Sequence, residues 1–205
     1  MPTASPTSPA HVTGLILAGG RATRMGGRDK GLIELAGRPL IDYALAAMDA
    51  VCEQVLISAN RHLDLYRRFG RAVLSDPLAD YPGPLAGILA GLQQAPPGVL
   101  LVMPCDTPLA TPALLQRLVA AGTDTATMAA VAHDGQRLQP AFVRLDPQLA
   151  RPLRQALEAG ERRLGRWVAS LDPRQVDCSD HPEWFDNINT PEDLDALAAR
   201  LAETP

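Results

Sequence analysis

Residues 14–31 read GLILAGGRATRMGGRDKG, and the fold turns on them. Leu15-Ile16-Leu17-Ala18 is an apolar run too short for a helix, closed by Gly14 on one side and Gly19-Gly20 on the other. Such a run reads as a buried parallel strand. It empties into residues 19–30, which hold four glycines, three arginines and one lysine, with Met25 the one large apolar side chain. Glycine permits positive φ and lets backbone N–H groups approach a ligand with no Cβ in the way. Arginine and lysine on the same loop add charge-assisted donors. The combination suits a polyphosphate; a solvated strand-to-helix turn is the plainer alternative.

Two familiar phosphate loops are excluded. A P-loop needs Gly-Lys followed by Ser or Thr, but Arg28-Asp29 separates Gly27 from Lys30, and Gly31 follows. The dinucleotide pattern GxGxxG is absent, because Gly19-Gly20 are adjacent.

Outward from this stretch, strands and helices alternate. Helices are expected over 39–51, 64–69 (ending at Gly70), 84–94 and 111–121, with Thr111 as the cap of the last. Strands are expected over 54–59, 71–75 and 98–103, the last the most apolar and hence central. Further strands fall at 125–132 and 141–145, helices at 147–158 and 161–170, and a short strand near 175–177. Thr190-Pro191-Glu192-Asp193 opens a final helix with a capping-box pattern. The alternation means an α/β fold, a three-layer sandwich with a mostly parallel sheet covered on both faces. Polar residues gather at the strand ends near 18–20, 58–60, 76 and 106, where ligands sit in such sheets.

Asp106 closes the most apolar strand and Asp76 the third. A carboxylate there can hold magnesium, which takes one or two carboxylates plus substrate phosphates; alone, either aspartate could equally cap a turn. The loop DPLADYPGPLAG at 76–87 could be only a rigid surface loop. Arg162-Arg163 could be only a solvated helix end.

The stretch LAGGRATRMGGRDK at 17–30 resembles the signature of Rossmann-like nucleotidyltransferases, and RMGGRDKG is closest to the molybdenum cofactor guanylyltransferases. DYPGPLAG, PCDTP at 104–108, GERR at 160–163 and NINTPED at 187–193 match motifs of that family; where relatives often carry Asn, this chain has Ser58. The resemblance implies transfer of GMP from GTP to molybdopterin with magnesium as cofactor. It further implies GTP contacts from Leu17, Ala18, Gly19, Gly20, Lys30, Ser58, Asp76 and Asp106. Lys30, Arg24 and Asp106 would be catalytic, Asp106 would hold the metal, and Arg162, Arg163, Asn187 and Asn189 would face molybdopterin. A sister transferase using CTP or a sugar phosphate, and a non-catalytic GTP-binding module, remain alternatives. Other cofactor-biosynthesis proteins and acceptor molybdoenzymes or their chaperones are the implied partners.

The length of 205 residues suits one domain over 14–205 behind a Pro/Ser/Thr-rich flexible tail at 1–13. A net charge of −4 and 4% aromatics argue against nucleic-acid binding. Three scattered cysteines without CxxC spacing argue against disulfides or zinc and fit a reducing cytoplasm. No run is long enough to span a bilayer, so a soluble protein, taken as a monomer, is expected. The histidines share no ligand spacing, and no nucleophile–base pair is readable.

Overall fold

The structure, a computed structural model, describes residues 11–18, 21–22, 27–76, 83–122 and 127–203, with backbone alone at 21–22 and 202–203. The tail to residue 10, Gly19, Gly20, Arg24, residues 77–82 of the 76–87 loop and the start of the strand expected at 125 lie outside the described residues.

The chain runs β1 (Val12–Leu17), a small hairpin of β2 (Arg21–Ala22) and β3 (Arg28–Asp29), a 3-10 turn at Lys30–Leu32, and a second small hairpin of β4 (Glu34–Leu35) and β5 (Arg38–Pro39). Then come α1 (Leu40–Asp49), β6 (Gln54–Ser58), α2 (Leu63–Arg67), β7 (Ala72–Leu74), α3 (Pro84–Gln94), β8 (Val99–Pro104) and α4 (Pro112–Ala120). The remainder is β9 (Ala129–His133), β10 (Leu138–Leu145), α5 (Ala150–Glu158), α6 (Leu164–Ser170), β11 (Arg174–Asp177), a 3-10 turn at Pro182–Phe185 and α7 (Pro191–Glu203).

Seven strands form one sheet in the order β11-β9-β10-β8-β1-β6-β7. Only β10 opposes its neighbours, because the short turn from His133 to Leu138 can return a strand only in the antiparallel sense. β8 is the middle strand, as its apolar run requires: Leu100, Leu101, Val102 and Met103 are all fully buried. Strand alternation divides the core. Ile16, Ile57, Leu101 and Met103 pack with α1 and α4 on one face. Leu15, Leu56, Leu100 and Val102 pack with α3, α5 and α6 on the other. A smaller cluster of Ile33, Leu35, Leu40, Ile188 and Leu197 fastens α7 to the second hairpin.

α3 lies close on the sheet because Gly87 and Gly91 share its inner face. A Cβ at Gly87 would fall 2.1 Å from the Ser58 hydroxyl, and one at Gly91 would fall 2.7 Å from a Leu15 methyl.

Two sequence expectations are corrected. β1 begins at Val12 with Thr13 fully buried, so the strand takes in the last residues of the expected tail. Thr111 precedes α4, but its hydroxyl makes no capping bond and is buried with no partner among the described residues; Pro112 at the first position, which needs no N–H partner, does that work. The capping box of α7 forms as expected. Asn189 N and Thr190 N each donate to Asp193 Oδ2 at 2.9 Å, and Asp193 N donates to Thr190 Oγ1 at 3.1 Å.

Candidate active site

From β1 the chain steps to β6 and β7 in one direction and to β8 in the other. The crevice between the carboxyl ends of β1 and β8 is therefore the switch point, the place where such sheets bind ligands. Backbone bonds hold both rims: Ala18 N donates to Ser58 O at 2.8 Å and Cys105 N to Leu17 O at 3.1 Å.

Three distant segments meet there. Lys30 Nζ donates to Asp106 Oδ2 at 2.7 Å and to Asn189 Oδ1 at 2.6 Å. The lysine and aspartate side chains are only 18% and 13% exposed, so their charges are weakly screened. Ile188 N donates to Asp106 O at 2.9 Å, which sews the 187–190 segment to the end of β8. Asn189, expected on the molybdopterin side, thus shares its position with Lys30 and Asp106. Neighbouring Cys105 is no nucleophile. Complete burial, then the Asp106 and Asp29 carboxylates, push its thiol well above the ordinary range.

Farther along the same rim, Asn60 and Asp76 form a two-way clasp. Asn60 Nδ2 donates to Asp76 Oδ2 at 2.6 Å, and Asp76 N donates to Asn60 Oδ1 at 2.8 Å. Burial raises the Asp76 carboxyl above its usual range, against the lowering effect of the Asn60 bond. Ser58 is buried with its hydroxyl under α3 against Gly87.

The 160–163 turn reaches the same edge by topology. β10 descends from that edge, α5 climbs back over nine residues, about 13 Å, and α6 descends again to β11. Arg162 Nη1 donates to Leu157 O at 2.8 Å and Glu161 O at 2.7 Å, so its guanidinium braces the turn. Arg163 is exposed, and its backbone N–H donates to Glu161 Oε1 at 2.8 Å. A depression of about 430 Å³ opens beside them, lined in part by Gly160, Glu161, Arg166 and Trp167. Asn187 is exposed and lines a separate depression with Asp193 and Arg200.

Residues 14–176 match the family described as the MobA-like NTP transferase domain. The chain belongs to the MobA-like NTP transferases. A molybdenum cofactor guanylyltransferase of Shewanella loihica is 43% identical over 192 residues, covering 94% of this chain and 98% of the relative. A protein of the same name from Shewanella halifaxensis is 42% identical, with 94% and 96% covered. Among solved structures, molybdopterin-guanine dinucleotide biosynthesis protein A of Archaeoglobus fulgidus superposes with a TM-score of 0.80 at 23% identity, covering 94% of this chain and all of that one. That likeness confirms the Rossmann-like nucleotidyltransferase fold.

The donors at the switch point are hard oxygens. No group of three or more His, Cys, Asp or Glu side chains that could cage a metal occurs among the described residues. A single carboxylate fits a magnesium-type cation, which keeps its waters and takes the rest of its shell from phosphates. Among the described residues no helix is long and apolar enough to cross a membrane.

Proposed function

We propose that this protein transfers GMP from GTP to molybdenum-bearing molybdopterin, giving the guanine dinucleotide form and releasing pyrophosphate. The observation that carries the reading is the union of Lys30, Asp106 and Asn189 at the switch point, in a chain that spans nearly the full length of relatives named for this activity.

A phosphate oxygen is already an anionic nucleophile, so the site must align it and absorb charge as pyrophosphate departs. The Lys30 ammonium has three donors on one point. Two are engaged by Asp106 and Asn189, and the third would serve a phosphate oxygen. Arg24, which lies outside the described residues, would assist from the glycine-rich loop. Asp106 would hold magnesium, which supplies charge neutralisation at the phosphates. Leu17, Ala18, Gly19 and Gly20 would meet GTP through backbone groups, and Asp76 would meet its nucleoside end. Ser58 would act there indirectly, with its hydroxyl facing Gly87 and its carbonyl accepting from Ala18 N. Arg163, with Asn187, would receive molybdopterin, and Arg162 would hold the turn that presents Arg163.

The test is pyrophosphate release from GTP with magnesium and molybdopterin, each omitted in turn and with CTP as competitor. Release that needs all three and resists CTP is expected. Release with CTP in place of GTP would assign a sister reaction, and GTP binding without release would make the protein a binding module.

A further inference from the structure

Lys30 is the only lysine in the sequence; every other member of the 19 lysines and arginines is arginine. One compact ammonium stands where a planar guanidinium would not fit both partners in the same way. What fixes it there is the question, because it sits at the exit of a loop rather than within a long element.

Asp29 occupies the N-cap position of the 3-10 turn at Lys30–Leu32, yet its carboxylate makes no capping bond. An aspartate there ordinarily accepts from the first free N–H groups of the turn. This one faces inward instead. It is 4% exposed and accepts the hydroxyl hydrogen of Tyr66. Its second oxygen is buried with no hydrogen-bond partner among the described residues, a costly state for a carboxylate. Tyr66 is fully buried on α2, in the crossover between β6 and β7. The residue after Lys30 is shaped to the same hydroxyl: a Cβ on Gly31 would come 2.5 Å from the Tyr66 oxygen. The Tyr66 hydroxyl therefore sits in a notch made by both chain neighbours of Lys30.

We propose that Tyr66 is a positioning residue for Lys30, acting through the Asp29 carboxylate and the bare Gly31 backbone to hold the ammonium on Asp106 and Asn189. This rests on the nucleotidyl-transfer reading, in which Lys30 meets the triphosphate. It makes turnover depend on a hydroxyl that never touches substrate. The competing account is that Tyr66 only fills the core beside Phe69, its ring 6.4 Å away.

Tyr66→Phe keeps the ring and deletes the hydroxyl. Turnover should fall roughly tenfold to a hundredfold, the scale of a misplaced catalytic group, while GTP affinity changes little. In a Lys30→Ala background the same substitution should change turnover no further, since the two residues act as one unit. Asp29→Asn keeps an acceptor for the hydroxyl and should retain more activity than Asp29→Ala. A second readout needs no catalysis. Acetylation by an N-hydroxysuccinimide ester, followed by peptide mass spectrometry, reports on the one lysine, and Lys30 should label several-fold faster in Tyr66→Phe. Equal losses of turnover in both backgrounds, or an unchanged labelling rate, would overturn the proposal in favour of plain core packing. If the wild type releases no pyrophosphate but the labelling contrast stands, the functional reading fails while the positioning of Lys30 survives.

Discussion

On one side of β8, the strands β1, β6 and β7 run parallel and deliver their ends straight to the crevice. On the other, β10 reverses direction, and the chain regains the rim through α5, the 160–163 turn and the segment after β11. In the first half Asp76 and Asp106 stand two residues beyond the ends of β7 and β8, so strand register places them, while Lys30 comes from the longer excursion between β1 and α1. The second half holds Arg162, Arg163 and Asn187 on longer excursions, each braced locally. Asn189 crosses the divide: it arrives with the second half and bonds the lysine of the first. The division sets the proposed charge chemistry beside the parallel strands and the proposed acceptor recognition beyond β10.

The largest effect should come from Asp106→Ala, which removes the carboxylate proposed for the metal and the partner of Lys30. Pyrophosphate release should drop about 10³-fold or more, several kcal/mol of transition-state stabilisation. Near-normal turnover at ordinary magnesium would return Asp106 to a turn residue and break the assignment of chemistry to the parallel half. Lys30→Ala should cost roughly 10²- to 10³-fold in kcat. Lys30→Arg should not restore it, because a guanidinium cannot reproduce a point charge between two close acceptors. A loss seen in GTP affinity alone would make Lys30 a binding residue.

Arg163→Ala sharpens the comparison from the other side. KM for molybdopterin should rise about tenfold, the size of one charge-assisted hydrogen bond, with the Kd for GTP unchanged. Weaker GTP binding instead would erase the division between the halves. The smallest effects are on stability. Thr190→Ala removes half of the α7 capping box and should cost about 1 kcal/mol, a fall in Tm of roughly 2–4 °C.

Asp76 supplies a pH test. Burial raises its folded pKa above the unfolded value, so the stability tied to its protonation is present below the unfolded pKa and lost as pH rises through the folded one. Asp76→Asn cannot ionise, and its Tm should therefore gain on the wild type as pH rises from about 4 toward 7. A difference independent of pH would mean that the Asp76 carboxylate is solvated as fully as in the unfolded chain.

Much was legible in the sequence, for definite reasons. Apolar runs such as 99–103 report burial on both faces of a parallel sheet, and a glycine-rich exit from the first strand reports close backbone approach. Periodicity and the Thr190–Asp193 spacing are local properties, so the elements and the α7 cap could be read without neighbours. The motifs likewise singled out Lys30 and Asp106. Only the tertiary structure decided what those residues touch. That Asn189 would bond Lys30 depends on Ile188 joining the end of β8, a contact across the whole fold. The inward turn of Asp29 depends on Tyr66, which lies in the five-residue helix LDLYR, too short for its pattern to say which side chain is buried. Strand register and helix packing set those distances, and sequence spacing cannot encode a hydrogen bond between segments whose separation the fold alone determines.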